Sequence, residues 1–294
     1  MRDKQTLTQI VDAIENGAES FERLRKVVVL RGRTREVLAS AHSTHYRIAV
    51  TIDGKPHTLY IPFGMSDEER VAFVARVRAT RGDGLQVLAV ADFLPRELRL
   101  VDADGYRPRL DVVVEEGSGS LLGEVMEEVR LGRREKLREW IGRIGYFAES
   151  LVESELCHAL PSAENMKVDS RGRLRLCAYP FYPSDSYSDC SKTLLSTALA
   201  LYLVASSPVL MAAYCPSLVL RPEQLLAIAE ALDARVPVQR RLEEVINSLL
   251  GGELDSCTLL SHLHILSILP FEAQISPILG ESAQTIVEQI LVGR

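Results

Sequence analysis

The sequence predicts an α+β protein, a small antiparallel sheet with one inserted helix followed by a larger half built mostly of helices. Three observations carry this prediction. Short apolar runs bounded by turn residues fill the first 116 residues. The step Gly117-Ser118-Gly119 follows them, and beyond it apolar residues recur at helical spacing.

The chain opens with Leu7, Ile10, Val11, Ile14 and Phe21 at helical spacing, so residues 1–25 are expected to form an amphipathic helix. Strands are expected at Lys26–Leu30, Tyr46–Ile52 and Thr58–Phe63, the last two joined through Asp53-Gly54, a good hairpin turn. Ser66 precedes Asp67, Glu68 and Glu69, which marks a capped helix start with acids where the helix dipole favours them, and the helix should reach Thr80. Further strands are expected at Leu85–Val90, Glu97–Asp102 and Leu110–Glu115. Helices should then cover 120–131, 135–156, 189–206, 222–234, 238–250, 257–268 and 282–291. A short hairpin, Asn165–Ala178 around Gly172, and an irregular stretch, Tyr179–Ser188, interrupt them. The domain reading is an N-terminal helix (1–25), a sheet lobe (26–116), a hinge (117–120) and a helical lobe (121–294).

Composition excludes several classes. Apolar residues make up 47% of the 294 and charged residues 25%, with a formal charge of −6, which speaks against nucleic acid as a partner. The Arg23, Arg25, Lys26, Arg31, Arg33 and Arg35 cluster reads as the solvated edge of a strand. Five cysteines without a C-x-x-C pair suggest reduced thiols and a cytoplasmic protein, with neither disulfides nor zinc. The polar N-terminus lacks the apolar core of a signal peptide. Thr193–Leu220 carries no charge and could span a bilayer by length, but Ser206-Ser207-Pro208 cuts it, so a helix buried inside the domain is expected instead of a membrane span.

The segment Leu151–Tyr179 resembles the catalytic loop and following hairpin of protein kinases, H-x-D-x-x-x-x-N and then D-F-G. His158 falls on the motif histidine and Asn165 on the asparagine seven residues later, with Glu164 before it. Leu110–Glu116 and the glycines after it are similar to the last strand, hinge and first helix of the two kinase lobes. Asp189 opens the apolar helix that stands at the centre of a kinase C-lobe. The resemblance covers residues 26 to 250 and is closest to small bacterial kinase-like proteins. It implies a bilobal protein-kinase-like fold.

The same resemblance implies that phosphoryl transfer is lost. The catalytic aspartate position is Leu160, and the metal-binding aspartate position is Ala178. The strand that should carry the phosphate-binding lysine offers Ile61 and Pro62. The following helix carries Arg76 and Arg78 where a glutamate would pair with that lysine. No glycine-rich loop covers the phosphates, because the turn before Tyr46 reads Ala39-Ser40-Ala41-His42-Ser43-Thr44-His45. Losing a general base alone costs roughly 10²–10⁴ in rate, and here the metal and phosphate contacts go with it. No cofactor and no tight Mg–ATP binding are expected. The vestigial positions Ile61, Pro62, His158, Leu160, Asn165, Ala178 and Asp189 then serve as scaffold, with Asp189 as a helix cap.

Two decoys are set aside. Gly117-x-Gly119-x-x-x-Gly123 mimics a dinucleotide turn, but Glu115 and Glu116 would repel a pyrophosphate and no acid-ended strand follows. Cys157 and His158 are adjacent and cannot face each other as a dyad. The leading expectation is a non-catalytic module that binds another protein. The alternative is a transferase or ligand-binding protein that uses the inter-lobe cleft unconventionally.

Overall fold

The computed structural model describes residues 6–16, 20–32, 34–81, 87–100, 108–117, 119–154, 156, 161–182, 186–206, 218 and 220–270. The chain divides into two compact units: Met1–Ser118 with Leu176–Phe181, and Gly119–Arg175 with Tyr182–Arg294. Antiparallel strands dominate the first and helices the second, so the predicted α+β class holds. The expected helix at 282–291 lies outside the described residues.

The first unit begins with α1 (Leu7–Asn16), shorter than expected. Phe21 has already left helical geometry and forms a bridge to Leu98. The strands are β1 (Val27–Val29), β2 (Ala39–Ala41), β3 (His45–Ile52), β4 (Lys55–Pro62), β5 (Ala91–Arg99) and β6 (Arg109–Glu116). Their order is β1-β3-β4-β6-β5, with β2 also paired to β3. Asp53 (φ 48°) and Gly54 (φ 79°) are both left-handed, which gives β3 and β4 a two-residue turn matched to strand twist.

One face of this sheet is closed by α1. Ile10, Val11 and Ile14 pack on Val29, Ile48, Val50, Leu59, Ile61, Leu98 and Val112, all buried. Glu97 Oε1 accepts the backbone N–H groups of Arg23 and Leu24, each at 2.7 Å, and so ties down the strap after α1. On the other face lies α2 (Asp67–Ala79), capped by Ser66 as its sequence predicts, with Glu69 bonding back to the Ser66 N–H to complete a capping box. The Arg70 guanidinium grips both Asp111 oxygens, at 2.7 and 3.0 Å, and holds α2 to the sheet.

Two expectations for this unit are corrected. The strand expected at Leu85–Val90 is absent among its described residues: Leu88 makes only a parallel bridge to Leu176. The strand expected from Glu97 starts at Ala91 and runs through Pro95, with a bulge between Leu94 and Leu98. Proline is tolerated because β5 is an edge strand and the bulge lies around it.

The second unit contains α3 (Leu121–Arg130), α4 (Arg134–Glu153), α5 (Tyr187–Ser206), α6 (Pro222–Ala231), α7 (Pro237–Leu250) and α8 (Ser256–Ile268). The hairpin of β7 (Met166–Val168) and β8 (Leu174–Leu176) forms where expected, turning at Gly172 (φ 74°). Asp169 organises that turn by accepting the N–H groups of Arg171 and Arg173. Helix α5 is the buried centre of the unit: Leu194, Leu201 and Val204 are all at most 1% exposed. Its C-terminal carbonyls, Ala205 O and Ser206 O, receive the Arg134 guanidinium, a cation where the helix dipole is negative. No helix among the described residues is long and apolar enough to cross a membrane.

Candidate functional site

The face of the first sheet opposite α1 collects the unit's unusual chemistry. Side chains alternate along a strand, so on β4 Leu59 and Ile61 enter the core under α1 while Thr58 and Tyr60 face the other way. On β6 the same alternation sends Val112 toward α1 and puts Val113 and Glu115 on the Tyr60 side. Tyr60 and Glu115, both buried, therefore meet across adjacent strands, and the phenol donates to Glu115 Oε2 at 2.8 Å. The second carboxylate oxygen accepts the backbone N–H of Ala178 at 3.0 Å. One glutamate thus ties β4, β6 and the 176–181 segment together.

Ala178 is left-handed (φ 56°), a conformation a Cβ disfavours by about 1–2 kcal/mol. Two bonds at this residue hold the geometry: its N–H goes to Glu115, and its carbonyl accepts Phe181 N–H at 2.9 Å. The turn Tyr179–Phe181 is a single 3₁₀ turn that sends the Phe181 ring inward. That ring lies 4.1 Å from His45, 5.4 Å from Tyr60 and 4.8 Å from Phe73 between ring centres. From α2, Arg76 Nε donates to Pro180 O at 3.1 Å, which fixes the turn from the other side.

The β2–β3 turn completes the cluster. Ala39–Ala41, expected as part of a turn, is a strand paired to Tyr46–Ile48, and only His42–His45 makes the reversal. The His42 and His45 rings stack at 4.7 Å. Burial pushes the His45 imidazole down to about 3, with the charges of His42 and Arg47 acting the same way. The Tyr60 phenol is pushed well up, by burial first and then by the neighbouring Glu115 charge. The result is a neutral aromatic wall around one carboxylate.

The positions singled out from sequence are scattered. Ile61 is buried under α1 and Pro62 ends β4 half-buried, so strand alternation gives the opposite face to Tyr60 instead. Ala178 lies in the cluster. Asn165 is buried in the second unit, its N–H bonded to Ser162 O at 2.9 Å. Asp189 is not the cap of α5, because the helix begins at Tyr187 and Ser186 Oγ accepts Asp189 N–H at 3.3 Å. Tyr187 and Ser188 accordingly belong to α5 and not to the irregular stretch. His158 and Leu160 lie outside the described residues.

Sequence reasoning passed over Tyr60, Glu115, His45, Phe73 and Phe181. A carboxylate closing the run Val112-Val113-Val114 was the available signal, since a glutamate at a buried strand position needs partners. Among the described residues no group of three or more His, Cys, Asp or Glu is placed to hold a metal. The cluster can pack and hydrogen-bond, and its Arg76 guanidinium is engaged by Pro180 O.

No family model and no curated protein sequence matches the chain. A solved structure of an apo pseudokinase is similar, with a TM-score of 0.48 and 13% identity over 79% of this chain and 88% of that one.

Proposed function

We propose that this chain is a kinase-like module that has given up phosphoryl transfer and serves as a binding partner for another protein. The support for a kinase-like plan lies in element order. A five-strand antiparallel path with one helix inserted between β4 and β5 precedes helices α3 and α4. The β7–β8 hairpin and the buried helix α5 then follow.

The observation that carries the loss of catalysis is the Tyr60–Glu115–Ala178 arrangement. In the kinase resemblance, β4 is the strand whose inward side chain is the phosphate-binding lysine, and here that side chain is Tyr60. The ion pair between that lysine and a helix glutamate has no counterpart, since α2 presents Arg76 to a backbone carbonyl. The hairpin that should cover phosphates carries two stacked imidazoles, and the metal position carries Ala178. Phosphoryl transfer depends on positioning and on neutralising phosphate charge, and the lysine and metal-carboxylate positions carry Tyr60 and Ala178, while of the motif residues Asn165 is kept. The module acts through its surfaces, away from nucleic acid and membranes.

Intact-mass spectrometry after incubation of the full chain with ATP and Mg²⁺, alone and with a generic protein substrate, tests this reading. No added phosphate is expected on either protein. Phosphate on either one would refute it.

A further inference from the structure

We propose that the helical unit carries a binding site for a small amphiphilic carboxylate on the polar stripe of α5. Helix α5 is buried nearly all round, yet its first half presents Lys192, Thr193, Ser196 and Thr197. These are two i, i+4 pairs and therefore share one side of the helix. They border a cavity of about 330 Å³ whose other walls include Leu218, Leu220, Leu225 and Leu249. That volume is at the lower end of the range for small-molecule sites, and its make-up, an apolar wall with a few convergent polar groups, fits one.

The hydrogen-bond inventory selects the head group. Thr193 Oγ1 already donates to Asp189 O at 2.8 Å, and Thr197 Oγ1 to Thr193 O at 2.9 Å, so both hydroxyl protons are used. Ser196 Oγ is buried with no partner, an arrangement that costs free energy while it lasts. The Lys192 ammonium gives one of its three protons to Gly251 O at 2.8 Å and has two more to offer. Ser162 adds a further hydroxyl to the wall; the donors the bonding leaves open on α5 are the Ser196 hydroxyl and the Lys192 ammonium, and Lys192 is the one charged side chain among the described lining residues. An anionic acceptor satisfies both, and a carboxylate suits one cation better than a doubly charged phosphate does. The leucine walls take an apolar tail. Leu218 contributes its side chain from a left-handed backbone (φ 49°), which is unusual for a bulky residue.

Octanoate and 1-octanol are the discriminating probes, titrated calorimetrically into the full chain. Octanoate is expected to bind saturably at one site, and 1-octanol, with the same tail and no charge, more weakly. Lys192→Met should weaken octanoate about tenfold, the worth of a charge-assisted bond, and leave 1-octanol unchanged. Leu225→Trp, which fills the cavity, should abolish both. Because Lys192 lies at the rim, that variant keeps the test valid even if Leu225→Trp fails to fold. No saturable octanoate heat, equal affinity for both probes, or octanoate binding that survives both substitutions would overturn the proposal. All variants leave Tyr60 and Glu115 untouched, so the outcome is separate from the loss of phosphoryl transfer.

Discussion

At the scale of single residues, Glu115 has the largest stake. Its two oxygens satisfy the Tyr60 hydroxyl and the Ala178 N–H, both buried. Glu115→Ala leaves two polar groups without partners and should lower stability by about 3 kcal/mol, and Glu115→Gln by about 1 kcal/mol, read by urea unfolding. Ala178→Gly should act in the opposite sense and add about 1 kcal/mol, because it removes the Cβ that disfavours φ 56°. His45 gives a pH signature. Its folded pKa of about 3 lies below the 6.5 of the unfolded chain, so only the unfolded state takes up a proton between those values. Stability is full above 6.5 and falls with acid, by up to about 1.4 kcal/mol per pH unit from this group. His45→Phe should flatten the fall in Tm between pH 6 and 4 relative to the native chain, and an unchanged slope would show that other groups carry it. Of these residues only Ala178 is singled out by the sequence, at the metal position of the kinase resemblance. The sequence offers Ile61 and Pro62 for the lysine position and not Tyr60, because the phase of alternation on β4 becomes known only when α1 is seen to cover one face.

At the scale of elements, sequence punctuation worked where the local signal was sufficient. The Ser66 cap of α2, the Asp53-Gly54 hairpin and the Gly172 turn each carry their own geometry, and each forms as expected. Errors arose where tertiary partners decide. β2 is three small residues recognisable only by pairing with β3, and β5 crosses Pro95 because an edge strand tolerates it. The start of α5 moved because Ser186, not Asp189, meets the free N–H. The attachment of α2 also depends on a distant partner. Asp111 accepts Arg70 in a bidentate pair and Arg96 N–H at 2.8 Å. Asp111→Ala should speed amide exchange along residues 67–79 and cost about 2 kcal/mol, with the partial exposure of the pair keeping the effect below that of a buried one. Glu69→Ala at the exposed cap should have a smaller effect on both readouts. Equal effects from the two would mean that Arg70 does not hold the helix.

At the scale of the whole molecule, the order of elements was the most legible feature, because sheet-forming and helix-forming periodicities occupy separate halves of the chain. The substitutions behind the proposed loss of kinase chemistry, Leu160 and Ala178 at the motif positions, were legible in the sequence. What replaced it was not, since a wall made of Tyr60, His45, Phe73, Phe181 and one buried carboxylate assembles from segments up to 136 positions apart. The wall makes the account specific, because its Arg76 guanidinium is engaged by Pro180 O and its Glu115 carboxylate by Tyr60 and Ala178. Placing phosphates against apolar side chains without partners costs several kcal/mol. Calorimetric titration of ATP into the full chain, with and without Mg²⁺, tests this most directly. The account predicts no Mg²⁺-dependent heat at concentrations up to about 1 mM, a free energy of binding weaker than about −4 kcal/mol. A micromolar, Mg²⁺-dependent Kd would contradict it.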